Sequence, residues 1–153
     1  IYGFDTFDGL LNVSEEFDGE FVKNRDYSTF IGYEEELEKI LTIHEKNNPI
    51  SHIKKFSLIK GDILETFPIW LEENPHSIVS MAIFDLDIYE PTKKTLELVL
   101  PKLTKGSLIV FDEVNCKEFP GETRALNDII GSSKIKLNHF PHQPSSAWAV
   151  WGD

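Results

Sequence analysis

Short apolar runs, each followed by a polar or turn-forming stretch, divide the chain into regular blocks. Continuous apolar runs of this length are typical of strands that are buried on both faces of a parallel sheet. Two further runs near the C-terminus are joined by a short turn with two prolines, which predicts a pair of consecutive strands. Together the runs predict strands over residues 1–4, 56–59, 78–84, 107–111, 134–140 and 147–151.

Apolar residues at helical spacing predict four helices between these strands. The first has one apolar face that includes Ile40 and Leu41 and also His44, so we expect that face to be buried and His44 to be partly buried. The third is expected to begin at Pro91, since proline is favoured in a first turn. Leu96, Val99, Leu100 and Leu103 form the expected core face of that third helix. The helices are predicted over residues 32–47, over 64–73, from Pro91 onward, and over 120 to about 130.

Residues 8–31 interrupt this alternation. They are polar and highly charged, and they contain the turn-forming pairs Asp8-Gly9 and Asp18-Gly19. A structureless loop of that length is uncommon in a compact domain and is usually functional or mobile. We therefore expect a lid or substrate loop over residues 8–31, inside a single domain that spans residues 1–153.

The order of the elements predicts the fold class. Alternating strands and helices, followed by two consecutive strands, imply a mostly parallel α/β sheet with an antiparallel C-terminal strand pair. This is the Rossmann-like pattern of class I S-adenosylmethionine-dependent methyltransferases without their first strand. The chain starts with Ile1 inside an apolar run and contains no GxGxxG or Walker loop, so we expect the N-terminal strand to be missing. That would leave a gap between the strands ending at Asp5 and Asp85, and a chain that does not fold alone.

Two acidic clusters follow the third and fourth strands. Asp85 and Asp87 come after one apolar run, and Asp112 and Glu113 come after the next. Ligands of open α/β sheets bind beyond the carboxyl ends of the strands, and alternation along an extended strand would put Asp85 and Asp87 on the same side. We expect one rim of carboxylates that can hold a divalent cation or a polyol. Solvated helix caps are the alternative.

Composition limits the partners of the protein. The net charge of -11 argues against nucleic acid and anionic membranes, because both attract a basic surface. No apolar stretch approaches the ~18 residues that a membrane span needs. Cys116 is the only cysteine, which rules out an intrachain disulfide and suits a reducing cytoplasm. The oligomeric state stays open, with a homo-oligomer as one option.

Four segments resemble the macrocin O-methyltransferase family, in its branch of dTDP-6-deoxy-hexose 3-O-methyltransferases. They read IYGFDTFDG at 1–9, DLDIYEPT at 85–92, FDE at 111–113 and FPGET at 119–123. The second is fairly specific, and the resemblance runs through nearly the whole chain. It implies an S-adenosylmethionine-dependent O-methyltransferase, assisted by a divalent cation such as Mg²⁺, that methylates a deoxyhexose hydroxyl.

The resemblance also implies residues for the ribose of the cofactor. Asp5, at the end of its strand, would accept hydrogen bonds from the two ribose hydroxyls, as the acidic residue of a dinucleotide site does. Thr6 and Phe7 follow it and belong to the same predicted cofactor site. A local Asx turn at Asp5-Thr6 is the alternative.

The adenine ring of the cofactor is expected near the end of the next strand, predicted over residues 56–59. Gly61 ends that strand, Asp62 would lie beside the adenine amino group, and Ile63 would contact the ring. Asp62 can also cap the helix that follows, and the two roles are compatible. Asp85 completes the predicted cofactor set.

The metal site implied by the resemblance consists of Asp85, Asp112 and Glu113. Carboxylate oxygens suit a hard cation, which lowers the pKa of a bound hydroxyl and orients it. The relatives have two aspartates after this strand, whereas this chain has Asp112-Glu113. Asp87 is either a further ligand or the general base, so Asp85 and Asp87 are the candidate catalytic residues. Asn115 would add a neutral oxygen.

Two other functional classes stay open. One is a nicotinamide-dependent oxidoreductase, although the antiparallel final pair and the lack of a Tyr-x-x-x-Lys pair count against it. The other is a non-catalytic Rossmann domain that binds a cofactor or a partner. Binding of S-adenosylmethionine without methyl transfer would favour that second class.

Overall fold

The structure is a computed structural model that describes residues 1–152. Strands and helices follow each other in the predicted order. The strands are β1 Tyr2–Asp5, β2 Ser57–Lys60, β3 Val79–Phe84, β4 Leu103–Phe111, β5 Asn138–Phe140 and β6 Gln143–Val150. The helices are α1 Glu15–Asp18, α2 Tyr33–Lys46, α3 Ile63–Glu73, α4 Tyr89–Val99 and α5 Pro120–Ile129, with 3₁₀ turns at Leu100–Lys102 and Ser132–Lys134. Every helix of residues 1–152 is too short or too polar to cross a membrane.

The strands form two separate sheets. β1 and β2 pair in parallel, with Tyr2 opposite Ser57 and Asp5 opposite Lys60. The second sheet has the order β3-β4-β6-β5, in which β3 and β4 are parallel and the other pairs are antiparallel. The predicted Rossmann-like α/β sheet with an antiparallel C-terminal pair is therefore confirmed.

A gap separates the two sheets where the sequence predicts one. No strand of residues 1–152 lies between β1 and β3, and a cavity of about 550 Å³ is lined by both. Trp70 lines this cavity, and its buried indole Nε1 has no hydrogen-bond partner within residues 1–152. Unpaired edges and an orphaned donor are what an incomplete sheet leaves behind.

One hydrophobic core lies between the second sheet and the helices α4 and α5. It includes Phe84, Ile109 and Phe111 from the strands, and Leu96 and Leu126 from the helices. All five side chains are at most 2 % exposed. Phe84 and Phe111 stack on each other with ring centroids 5.2 Å apart. This packing fixes β3, β4 and α5 relative to each other, and these are the elements that carry the acidic clusters.

The other face of β3 is open, which corrects the expectation of a strand buried on both faces. Met81 is 52 % exposed and Ile83 is 66 % exposed. Both alternate with the core-facing Ala82 and Phe84, as side chains of a strand do. Residues 1–152 supply no layer that covers this face. The apolar run of β3 therefore does not indicate burial on both faces.

Several predicted boundaries need correction. α4 begins at Tyr89, so Pro91 lies within its first turn instead of opening it, and the helix ends at Val99. Leu103 starts β4, which is longer than predicted, and does not belong to the core face of α4. A proline that follows Leu100 and a 3₁₀ turn interrupt the helix there, although the apolar spacing continues.

The face predicted for α2 is not buried. The helix contributes no buried residue, Ile40 is 49 % exposed, and His44 is exposed as well, contrary to the expected partly buried position. Its contacts run mainly to the small β1–β2 sheet. The amphipathic pattern therefore predicts this helix correctly but not its burial.

Residues 8–31 are not structureless. They contain α1, and Asp18 and Val22 are buried. The carboxylate of Asp18 accepts hydrogen bonds from the backbone N–H groups of Tyr89 (2.6 Å) and Ser14 (2.8 Å). The middle of the segment is thus attached to the start of α4, immediately after the loop that carries Asp85 and Asp87.

Candidate active site

The carboxyl ends of the four parallel strands surround one cavity of about 440 Å³. Its wall includes nearly all the residues that the sequence predicts for the site. These are Asp5, Thr6, Gly61, Asp62, Ile63, Asp85, Asp87, Asp112 and Glu113. Phe7 does not line it, because its side chain is buried and packs against Tyr33. The fold therefore brings together two groups of residues that are far apart in sequence.

Asp85 and Asp87 lie in the loop between β3 and α4. The strand ends at Phe84, so these residues do not alternate along an extended strand as expected. Asp87 instead has a left-handed backbone with φ 62°, in a tight turn closed by a 2.6 Å bond from Ile88 N–H to the Leu86 carbonyl. Few non-glycine residues adopt this conformation, and tight packing is needed to hold it. The turn, and not strand alternation, brings Asp87 to the same site as Asp85.

Asp112 and Glu113 follow β4 and differ in their partners. Asp112 Oδ1 accepts a hydrogen bond of 2.6 Å from the hydroxyl of Ser146 on β6. The Oε2 atom of Glu113 is buried and has no hydrogen-bond partner within residues 1–152. Asn115 is exposed and absent from the cavity wall, and its backbone N–H donates to Thr123.

Asp85, Asp87 and Glu113 form the closest acidic group. One carboxylate oxygen from each lies within 4.8 Å of the others. The predicted ligand Asp112 lies on the same wall but outside this group of three, and Asp87 is inside it. Within residues 1–152, no lysine or arginine forms an ion pair with any of them.

Burial and mutual repulsion disfavour the charged forms of this group. Desolvation, together with the charges of Asp112 and Asp5, raises the pKa of Asp85. Desolvation and the charge of Asp85 raise the pKa of Asp87, while a side-chain hydrogen bond with Glu113 lowers it. Desolvation, followed by the charge of Asp87, raises the pKa of Glu113 to about 8.

Asp5 and Asp62 each make the local hydrogen bond that the sequence suggested as an alternative role. Asp5 Oδ1 accepts from the backbone N–H of Phe7 at 2.6 Å, which forms an Asx turn. Asp62 Oδ1 accepts from Leu64 N–H at 2.9 Å and caps α3. Both residues also line the cavity, so the local bonds orient the carboxylates without removing them from it.

Two aromatic residues and one carboxylate beside the acidic group were not predicted as site residues. Tyr27 and Phe119 line the cavity as a tilted aromatic pair with centroids 6.3 Å apart. Desolvation and then the negative charges of Asp87, Asp26 and Glu113 raise the pKa of the Tyr27 hydroxyl. Nothing in the local pattern of residues 8–31 singles out Tyr27, because its position depends on the path of a long irregular segment.

Glu122 is the third residue. It is 0 % exposed, and desolvation raises its pKa to about 7, opposed by hydrogen bonds from the backbone of Leu86, Glu113 and Asp87. The sequence offered one signal, a carboxylate directly after the apolar and small residues 119–121 at the start of a helix. A single acidic residue in a first helical turn is, however, usually solvated.

Comparison with solved structures supports the fold and a sequence resemblance to methyltransferases. No protein-family model matches the chain, and no curated protein matches it. Two solved structures of CalS11, each 38 % identical, cover 100 % of the chain with TM-scores of 0.94 and 0.82. One is described as a calicheamicin methyltransferase and the other as a TDP-rhamnose 3'-O-methyltransferase of calicheamicin biosynthesis.

The O-methyltransferase NovP is a more distant match. It has a TM-score of 0.58 and 20 % identity over 97 % of the chain, and at that identity it supports the fold alone. The chain thus has the Rossmann-like α/β fold of these methyltransferases. The chain is related in sequence and fold to the sugar O-methyltransferases, which confirms the resemblance found in its motifs. It spans about 60 % of the length of the CalS11 chains.

Proposed function

We propose that the complete protein is an S-adenosylmethionine-dependent O-methyltransferase that methylates a hydroxyl of a deoxyhexose with the help of Mg²⁺. One observation carries the proposal: the predicted cofactor residues and the acidic group line the same cavity. The 38 % identity to CalS11, described as acting on TDP-rhamnose, supports a sugar acceptor that is nucleotide-linked or part of a natural product. A cytoplasmic location is part of the proposal and fits the single cysteine.

The cofactor would lie along the ends of β1 and β2. The Asx turn uses one carboxylate oxygen of Asp5 and leaves the second to accept hydrogen bonds from the ribose hydroxyls. Asp62 and Ile63 line the part of the cavity where the adenine ring would bind. Thr6 and Gly61 line the same cavity. When bound, S-adenosylmethionine supplies an electrophilic methyl group for an in-line displacement by the sugar hydroxyl.

The acidic group fits a hard divalent cation. Three carboxylate oxygens lie within 4.8 Å of one another, and the Oε2 atom of Glu113 is buried without a partner. Burial is the main cause of their raised pKa values, and clustered negative charge, which a cation would relieve, is the second. We propose Asp85 and Glu113 as ligands, with Asp112 able to join through the oxygen that Ser146 leaves free. Mg²⁺ bound there would lower the pKa of the acceptor hydroxyl and orient it.

Asp87 is the proposed general base. It belongs to the acidic group and is partly buried, and its raised pKa makes it a stronger proton acceptor than an exposed aspartate. The strained turn at φ 62° fixes its carboxylate relative to Asp85. Proton removal from the sugar hydroxyl by Asp87 would accompany attack on the methyl group.

The acceptor would enter from the side of residues 8–31. Tyr27 from that segment and Phe119 from the loop before α5 provide apolar ring faces beside the carboxylates. A sugar ring could stack on them while its hydroxyls reach the acidic group. Because Asp18 attaches the segment to α4, closure would involve the part around Tyr27 and would exclude water from the site.

Calorimetric titration of the full-length protein with S-adenosylhomocysteine, with and without Mg²⁺, tests this proposal. We expect binding in the micromolar range, and transfer of methyl groups to a TDP-linked deoxyhexose in the presence of Mg²⁺. Transfer that persists in excess chelator would remove the metal from the proposal. Failure to bind S-adenosylhomocysteine at all would remove the methyltransferase function itself.

A further inference from the structure

Glu122 is a buried carboxylate that the proposed chemistry does not use. It lies in the first turn of α5 and is completely inaccessible to solvent. Burial of a carboxylate is unfavourable unless hydrogen bonds compensate it. Its partners therefore indicate why the fold accepts an acidic residue at this position.

Both oxygens of Glu122 accept hydrogen bonds from the two loops that carry the acidic group. Oε1 accepts from the backbone N–H of Leu86 at 3.0 Å, and Leu86 stands between Asp85 and Asp87. Oε2 accepts from the backbone N–H of Glu113 at 3.2 Å. One carboxylate thus joins the loop after β3 to the loop after β4, from behind the cavity wall.

The neighbours of Glu122 hold it at this junction. A Cβ added to Gly121 would come within 2.5 Å of the Tyr89 nitrogen and 2.8 Å of the Asp87 carbonyl oxygen, so α5 approaches the first loop as closely as the backbone allows. On the other side, Thr123 Oγ1 accepts from Asn115 N–H at 2.8 Å. The first turn of α5 is therefore fitted between both loops.

We propose that Glu122 is a positioning residue of the metal site, which sets the separation of Asp85 and Asp87 from Glu113 by binding the backbone of both loops. This inference rests on the proposed metal-assisted function. Residues that orient metal ligands from behind typically contribute about 10–100-fold to metal affinity. Glu122 would act on two ligand-bearing loops at once without touching the cation or the acceptor.

The test is the affinity of the full-length protein for Mg²⁺ alone, measured by calorimetry for Glu122→Gln. The amide keeps the size of the side chain but has only one acceptor oxygen, so its NH₂ group would face one of the two backbone N–H donors. We expect the affinity for Mg²⁺ to fall about 10–100-fold. An affinity within about twofold of the native protein would overturn the inference.

Leu126→Ala is the matched control for general destabilisation. Leu126 lies one turn further along α5, is 1 % exposed, and belongs to the core without contacting either loop through a hydrogen bond. Its truncation is expected to lower stability by about 2–5 kcal/mol and to leave the affinity for Mg²⁺ within about twofold. An equal loss of affinity in both variants would overturn the positioning role.

Glu122→Asp tests the same role if Glu122→Gln shows no cooperative unfolding and is therefore not properly folded. It retains the carboxylate but is one methylene shorter, so it cannot reach both loops, and weaker Mg²⁺ binding is expected again. Native protein that binds S-adenosylhomocysteine but not Mg²⁺ would overturn the metal site and the role of Glu122 together, while leaving methyl transfer standing. If Glu122→Asp binds Mg²⁺ as tightly as the native protein does, only the role of Glu122 is overturned.

Discussion

Two cavities lie side by side along β1 and β3, and they differ in what their walls offer. The cavity at the carboxyl ends of the strands has a volume of about 440 Å³ and is lined by the acidic group and by Asp5 and Asp62, the two aspartates proposed to bind the cofactor. The one between the strands is larger, about 550 Å³, and is lined by apolar residues such as Met81, Ile83 and Trp70. Size alone would select the wrong one as the functional site.

Hydrogen bonding separates the two cavities. Around the first, the local loops are held by the Asx turn of Asp5, the cap of Asp62 and the two bonds of Glu122. In the second, strand edges face empty space and the indole N–H of Trp70 lacks a partner within residues 1–152. The wall of the first cavity is therefore held in place by hydrogen bonds, as the proposed binding site requires, whereas polar groups at the second lack partners.

The largest expected effect is on cooperative unfolding, when residues 1–153 are studied without the rest of the full-length protein. Because the gap and the open face of β3 leave apolar surface exposed, we expect residues 1–153 alone to show no cooperative thermal transition. Calorimetry of this chain beside the full-length protein is the measurement. A cooperative melt of residues 1–153 would mean that the second cavity is tolerated as it stands, and that the missing-strand expectation is mistaken.

Loss of the general base should be the next largest effect. In the full-length protein, Asp87→Asn is expected to lower kcat for methyl transfer about 10²–10⁴-fold, because the amide cannot accept the proton. Glu90→Gln is the control, since Glu90 is an exposed carboxylate three residues along that does not line the first cavity. Equal rates for native protein and Asp87→Asn would exclude Asp87 as the base.

Loss of the ribose contact should have a smaller effect, confined to binding. Asp5→Ala is expected to weaken S-adenosylhomocysteine binding by roughly 10–100-fold, the range for hydrogen bonds to a charged group. Asp8→Ala removes a nearby exposed carboxylate that does not line the first cavity, and it should bind like the native protein. Calorimetric affinities that are the same for both variants would contradict the ribose assignment.

The smallest expected effect is a change of stability with pH. The pKa values of Glu113 and Glu122 are raised from 4.5 to about 8 and about 7, so the native state retains protons that the unfolded chain releases. The contribution to stability is full below about 4.5 and is lost as the pH rises through these values. In chelator, the free energy of unfolding of the full-length protein should therefore fall over this pH range, as measured by denaturant titration.

Two comparisons check that interpretation. Glu113→Gln should flatten the fall, because one of the carboxyl groups with a raised pKa no longer titrates. Mg²⁺ should oppose it, because the cation binds the deprotonated carboxylates and its affinity rises with pH. A free energy of unfolding that rises with pH in chelator would show that these two carboxylates are charged in the native state.

Local patterns predicted the order of the elements well. The apolar runs and helical spacings identify all six strands, and the two consecutive final strands identify the mixed sheet. The short motifs carry the resemblance to methyltransferases, and nearly all of the site residues predicted from them lie on the cavity wall. These features depend on residues close together in the sequence, so they can be read from the sequence itself.

Burial was predicted less well. The run at β3 predicts cover on both faces, and the stripe of α2 predicts a buried face, yet Ile83 and Ile40 are 66 % and 49 % exposed. An apolar pattern indicates that a surface needs cover, whereas the cover itself comes from other elements. Among residues 1–152 that cover exists only on the side of α4 and α5.

By itself the sequence determined the strand ends at which the carboxylates lie and the class of fold that gathers them. Only the tertiary structure decided which of them meet. The left-handed turn at Asp87 brings it close to Asp85 and Glu113, while Ser146 from a distant strand engages Asp112. Glu122 became part of the site through burial between two loops. Contacts between segments so far apart depend on the packing of the whole domain, and no local spacing encodes them.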